Sequence, residues 1–201
     1  SQPGLDLLQG WVEDLRVAGG RVEGVVLDTG VAVSCRAFAA CPGTFMNGLI
    51  HVGERSFPAG RMGEFPSRGL PACLARLGFE TGRLKTGTPP RINRNSVDFS
   101  KMERQPGDPD PVPFSFRTAL LDRPRVDCWL TWTTPETMAV IRANLDRAPL
   151  YTGQIKGTGP RYCPSIEVKT VRFPERQRHQ IFLEPEGLCT DEMYVNGFST
   201  S

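Results

Sequence analysis

Apolar and polar positions change rhythm along the chain, and each rhythm predicts an element. Leu5, Leu8, Trp11, Val12 and Leu15 recur near helical spacing, which predicts a short amphipathic helix over 5–17. Val22 to Leu27 is rich in β-branched residues, Asp28-Thr29-Gly30 is turn text, and Val31 to Ala39 reads as a returning strand. The simplest account is a β-hairpin. It closes at Cys41-Pro42-Gly43, where Pro cannot extend a ladder and Gly permits a tight bend. Gly48 to Ser67 has little periodicity and is rich in Gly and charge, so a long surface loop is expected. Leu70, Leu74 and Leu77 then predict a helix that Ser67 caps and Gly78 ends, with Pro71 tolerated in its first turn.

The second half is more broken. Gly82 to Arg91 suits neither a helix nor a central strand, and Ile92 to Pro113 is poor in apolar residues and rich in Pro, so both read as loop. Cys128 to Thr133 reads as a strand, and Thr134-Pro135-Glu136 as a helix start whose buried face is Met138, Ile141 and Leu145. Gly153 to Pro160 is a further loop. Arg161 to Ile166 leads into Val171–Phe173, and His179 to Leu183 reads as a strand. The texture changes near Pro90 and again near Gly159, which suggests a module inserted between two halves of one domain. The first residue is Ser1 and the last three are Ser199-Thr200-Ser201. Both ends read as cuts in something longer, so poor solubility of the isolated piece is expected.

Composition narrows the picture only a little. The hydrophobic share of 39% and charged share of 23% are those of an ordinary soluble chain. No apolar run is long enough to span a bilayer, so no membrane partner is expected. The net charge of +2 selects no partner. Its distribution says more: Arg55, Arg61, Arg68, Arg76, Arg83, Lys85, Arg91 and Arg94 stand against Glu64 and Glu80. That stretch is either a solvated face or a phosphate-binding surface. The 6 cysteines are irregularly spaced, and only His51 and His179 could add imidazole ligands, so neither a disulfide framework nor a metal centre is expected.

Four segments carry candidate chemistry. Gly43-Thr44 after the hairpin would let backbone approach a phosphate or ring. Ser67 at a helix start would hold an anionic group or simply cap the helix. In Gly82 to Arg91, glycines free the backbone, prolines stiffen it, and Arg83, Lys85 and Arg91 present charge to phosphates of a nucleotide or RNA. Finally, Cys163 lies beside Arg161, whose charge would favour the thiolate nucleophile; a structural role is the alternative.

These segments, in this order, resemble a known family. Gly43-Thr44-Phe45, Ile50-His51-Val52-Gly53, Gly82 through Arg91, Phe114-Ser115-Phe116, Gly159 through Glu167 and Phe182-Leu183-Glu184-Pro185-Glu186-Gly187 closely resemble the glucose-inhibited division protein A (MnmG) family of tRNA uridine-modifying flavoproteins. The resemblance covers nearly the whole chain. It implies an α/β fold: a partial Rossmann-type FAD-binding domain (1–90 and 159–201) interrupted by an inserted α+β domain (91–158). It implies FAD, NADH and methylenetetrahydrofolate as cofactors. It implies tRNA and a GTPase subunit (MnmE) as partners, a homodimer when full length, and a cytoplasmic setting, or a mitochondrial one in a eukaryote. The implied reaction adds an aminomethyl-type group to C5 of the wobble uridine.

The resemblance also implies roles. Cys163 and Arg161 would be catalytic, and Ser67, Gly43 and Thr44 would contact the flavin. The run Gly159-Pro160-Arg161-Tyr162-Cys163-Pro164-Ser165-Ile166-Glu167-Val168-Lys169-Thr170-Val171-Arg172-Phe173 would bind the nicotinamide cofactor, and Arg83, Lys85 and Arg91 would touch tRNA or phosphate. A thiolate adding at C6 of uracil would make C5 nucleophilic toward a methylene carbon. The family's N-terminal glycine fingerprint and its C-terminal helical region are not among these residues, so activity of the isolated piece is not expected. A folate-dependent tRNA uracil-5-methyltransferase flavoprotein and a non-catalytic RNA- or nucleotide-binding module are the alternatives.

Overall fold

The computed structural model describes residues 2–121, 126–159 and 164–200. The chain forms two compact units, Ser1–Arg83 and Leu84–Ser201.

The first unit is built on an antiparallel meander of β1 (Val12–Ala18), β2 (Arg21–Leu27) and β3 (Ala32–Ser34). The helix expected over 5–17 does not form. Val12 to Ala18 instead pairs with β2, from Val12 opposite Leu27 to Ala18 opposite Arg21, and Leu5, Leu7 and Leu8 stay exposed. Tertiary pairing outweighs a weak helical period here. The tight turn that makes it possible is Gly19-Gly20, both at positive φ (56° and 74°), where other residues would be strained. The expected hairpin is β2–β3, with a shorter return strand than anticipated.

The expected loop over 48–67 is itself a hairpin, β4 (Leu49–Val52) with β5 (Arg55–Pro58). Helix α1 (Gly69–Arg76) follows, and Gly78 ends it at φ 88°. Its N-cap is Arg68 with no side-chain cap bond, so Ser67 is not the cap. Cys73 of α1 is buried against β1: its thiol hydrogen-bonds Asp14, and Arg76 reaches the same carboxylate at 2.5 Å.

The second unit contains β6 (Arg91–Asn93), short 3-10 turns at Arg94–Ser96 and Phe99–Lys101, β7 (Glu103–Gln105), β8 (Cys128–Trp132), α2 (Pro135–Ala143), a 3-10 turn at Leu145–Arg147, α3 (Ile166–Arg172), β9 (Gln180–Pro185) and β10 (Glu192–Asn196). The sheet order is β6-β10-β9-β8-β7, antiparallel throughout. α2 starts where Thr134 accepts the Thr137 amide and Pro135 occupies the first turn, as expected. α3 starts where Ser165 accepts the Val168 amide. Met138 of α2, Ile166 of α3, and Ile181, Leu183 and Met193 of β9 and β10 are buried. Burial of each such side chain contributes about 1.5–3 kcal/mol. Helices and sheets share both units, which is the expected α/β class.

Candidate functional site

In the first unit the chain around Gly43 turns sharply. Gly43 has φ 53°, and the Phe45 amide donates to the Pro42 carbonyl at 3.0 Å. The next residues form a hub. The Phe45 carbonyl accepts from the Gly48 amide at 3.0 Å and from the Ser67 amide at 2.9 Å, and the Asn47 amide donates to the Ser67 carbonyl at 2.8 Å. Ser67, far away in sequence, is thereby stitched beside Gly43-Thr44. The Thr44 hydroxyl donates to the Gly60 carbonyl at 2.6 Å, tying the same corner to the end of β5. Two glycines are required by close packing: a Cβ on Gly48 would run into the carbonyl oxygens of Ala59 and Thr44, and one on Gly60 into the Phe45 ring.

Beside this hub lies an open depression of about 380 Å³, lined by Asn47, Leu49, Pro58, Pro66, Arg68 and Arg83. That volume is at the small end for a ligand site. The Arg83 guanidinium donates to the Asn47 carbonyl at 2.6 Å. Arg68 and Arg83 stand at the wall of this depression, while the Gly48 amide and carbonyl beside it are already paired with Phe45 and Ala59. The candidate flavin residues Gly43, Thr44 and Ser67 therefore do come together.

The second unit holds the other candidates. The Lys85 amide donates to the Thr158 carbonyl at 2.9 Å, and the lysine is 7% exposed. Gly87 lies so close to Ser199-Thr200 that a Cβ would meet the Thr200 carbonyl oxygen at 2.6 Å. The Ile166 amide donates to the Ser199 carbonyl at 2.7 Å, and Lys169 donates to the Gly197 carbonyl at 2.8 Å. The start of α3 and the Gly82–Arg91 text thus share one anvil, residues 197–200. Arg91 is engaged by Glu186 at 2.8 Å, by the Thr88 hydroxyl at 2.9 Å, and by the Tyr194 ring, 4.7 Å from its centroid. Of the nicotinamide segment, Gly159 and Pro164 to Phe173 are described; Pro160, Arg161, Tyr162 and Cys163 lie outside the described residues. Both candidate catalytic residues fall in that gap.

Sequence reasoning missed two clusters. Asp14, Cys73 and Arg76 clamp α1 to β1. The Asp14 carboxyl is held below the usual carboxylate range, first by the Cys73 thiol, then by the Leu15 amide and Arg76, while burial and Asp14 push the Cys73 thiol up. The second is His179, 5% exposed, whose Nε2 has no hydrogen-bond partner among the described residues. Burial first, then the charges of Lys169, Arg176 and Arg142, hold its imidazole below the ordinary value. No period in the sequence links these residues. Cys35, Cys41, Cys73, Cys128 and Cys189 are free thiols. Among the described residues no group of His, Cys, Asp and Glu is arranged to hold a metal, and no described helix is long and apolar enough to cross a membrane.

These features define an α/β protein with a glycine-lined, arginine-walled corner in one unit and a helix start pinned to a strand end in the other. The chain belongs to the glucose inhibited division protein A family, whose profile matches residues 1–201. It is 53% identical over 201 residues to the tRNA uridine 5-carboxymethylaminomethyl modification enzyme MnmG of Thermodesulfovibrio yellowstonii, covering 100% of this chain and 32% of that protein. It is 54% identical over 200 residues to the protein of the same name from Geobacter sulfurreducens, covering 100% of this chain and 32% of that protein. The crystal structure of Aquifex aeolicus GidA (form I) superposes with a TM-score of 0.85 at 48% identity, over 96% of this chain and 33% of that one. The chain thus spans about a third of the length of the relatives it matches.

Proposed function

We propose that this chain is part of an FAD-dependent enzyme that modifies the wobble uridine of tRNA at C5, using NADH and methylenetetrahydrofolate together with a GTPase subunit (MnmE), in the cytoplasm and as a homodimer when full length. The observation that carries this reading is the convergence of Gly43, Thr44 and Ser67 on one backbone hub beside an arginine-walled depression. Residues 1–90 and 159–201 would serve the flavin, with 91–158 as an insertion.

In this reading Gly43, Thr44 and Ser67 hold the flavin nucleotide, which when bound supplies hydride and one-carbon chemistry. Gly159 to Phe173 orient the nicotinamide cofactor. Arg83, Lys85 and Arg91 serve phosphates indirectly, by shaping loops, since each is engaged or buried. The Cys163 thiolate, held by Arg161, adds at C6 of the uracil and pushes an electron pair toward C5 and O4. C5 would then attack a methylene carbon presented as an iminium, whose C=N π electrons would return to nitrogen. Loss of the C5 proton returns the electrons and expels the thiolate.

The test is the visible spectrum of the full-length protein that contains this segment, after incubation with FAD and desalting. Flavin peaks are expected in the wild type and in Cys163→Ala, with tRNA modification lost only in the variant. A protein that retains no flavin, or a Cys163→Ala enzyme of normal activity, sinks the reading.

A further inference from the structure

The cations that stand out in the sequence are used inside the protein: Arg83 by Asn47, Arg91 by Glu186 and Tyr194, and Lys85 by burial. A different set, scattered between 142 and 178, faces solvent at one corner of the second unit. Arg142 sits in the last turn of α2 and reaches the Pro174 carbonyl at 3.4 Å. Arg176 lies over the Phe173 ring at 4.7 Å, and Arg178 over the Trp132 ring at 4.6 Å. All three arginines are exposed, and none forms an ion pair among the described residues.

The loop 173–178 gathers these charges: Arg142 reaches its Pro174 carbonyl, and it carries Arg176 and Arg178. His179 feels Lys169 of α3, Arg176 of the following loop and Arg142 of α2, with Glu175 the opposing charge. Arg178 precedes His179, and Trp132 pairs with Gln180 across the β8–β9 ladder. Two helices, a loop and a strand end thus deliver positive charge to one place.

The arrangement of these groups selects a partner. A guanidinium held over a ring face still has N–H groups to offer to phosphate oxygens. The rings beneath are themselves half open, Trp132 at 42% and Phe173 at 38% exposure, so a base has an aromatic surface to stack on. Unpaired arginine alternating with partly exposed aromatic rings is chemistry for a polyanion that carries planar groups. We propose that the Arg142, Arg176 and Arg178 corner, with Trp132 and Phe173, is an RNA-binding surface, and that it takes up part of the tRNA substrate in the reading given above, on which it rests.

The experiment is equilibrium binding of an unmodified tRNA transcript to the full-length protein that contains this segment, by fluorescence anisotropy, between roughly 50 and 200 mM salt. Simultaneous Arg142→Gln, Arg176→Gln and Arg178→Gln substitution is expected to weaken binding about tenfold or more at low salt. It should also flatten the slope of log K against log salt by about two to three, since each lost phosphate contact removes close to one. The matching Arg→Lys triple variant keeps the charge and should keep the slope. Trp132→Ala should weaken binding without altering the slope, and Trp132→Phe should restore it. The proposal is overturned if the glutamine triple variant binds as the wild type does, or if the lysine variant loses the slope as well. It also fails if the wild type ignores tRNA while binding phosphatidylserine vesicles through these arginines. The wobble-uridine reading is judged separately, by flavin retention and modification in the full-length protein.

Discussion

The His179 amide donates to the Thr133 hydroxyl at 2.8 Å while the Thr133 amide donates to the His179 carbonyl at 2.9 Å, so the two residues clasp each other where β8 hands over to α2. Both are nearly buried, at 7% and 5% exposure for Thr133 and His179. Replacing Thr133 by Val keeps the shape and the backbone bond but leaves the His179 amide unsatisfied. The expected cost is about 1–3 kcal/mol, read as a lower urea midpoint of the full-length protein that contains this segment. A midpoint unchanged from wild type would mean that the clasp contributes nothing.

The same imidazole makes stability depend on pH. His179 lies below the ordinary histidine value because it is buried, with Lys169, Arg176 and Arg142 adding repulsion. As pH falls, the unfolded chain takes up this proton before the folded one. Stability from this group is therefore full above ~6.5 and declines as pH falls from there toward the folded value. Urea midpoints at pH 7.5 and pH 5.5 should drop more for the wild type than for His179→Gln. Equal drops would assign the pH effect to other groups.

Asp14 joins the two elements that close the first unit. It accepts from the Cys73 thiol and the Leu15 amide, and from Arg76 at 2.5 Å. Its folded value is lowered, so its contribution is present above the ordinary carboxylate value of ~3.9 and is lost as pH falls below it. Asp14→Ala at neutral pH should cost about 1–2 kcal/mol, mostly through the buried thiol left without its acceptor. Arg76→Ala, which removes only the exposed pair, should cost about 0–1 kcal/mol. Comparable losses in the two variants would contradict this ranking.

Thiol reactivity should follow burial. Cys41 and Cys189 are exposed, whereas the Cys73 and Cys128 thiols are pushed up by burial. Among Cys41, Cys73, Cys128 and Cys189, brief alkylation of the native protein at pH 7.5 with mass-spectrometric mapping should mark Cys41 and Cys189 first and Cys73 only after unfolding. Early labelling of Cys73 would show that α1 does not sit on β1 as described.

Gly48 is tightly confined at the hub that joins Phe45 and Ser67. Gly48→Ala forces a methyl group against the carbonyls of Ala59 and Thr44. The strain expected is about 1–3 kcal/mol, with weakened flavin retention in the full-length protein. An alanine variant with wild-type flavin content and melting temperature would show that the hub neither needs glycine here nor supports flavin binding.

Where short-range chemistry decides, the amino-acid sequence was sufficient. The β2–β3 hairpin follows from β-branched runs around Asp28-Thr29-Gly30, α2 from Thr134-Pro135-Glu136, the end of α1 from Gly78, and the family from motifs in a fixed order. Caps, turns and left-handed glycines are local, so they can be read from neighbours in the chain. The segment 5–17 misled because its apolar spacing serves a helix nearly as well as a strand, and only the β2 partner selects between them. The hairpin over 49–58 was invisible because its strands are short and weakly patterned, and helix α3 and strand β10 because partners distant in sequence hold them. Tertiary structure alone decided that Ser67 meets Phe45, that Arg83 and Arg91 spend their charge internally, and that Arg142 of α2 reaches the loop that carries Arg176 and Arg178. Charge acts through space, and the distances that govern it are set by folding, not by position along the chain.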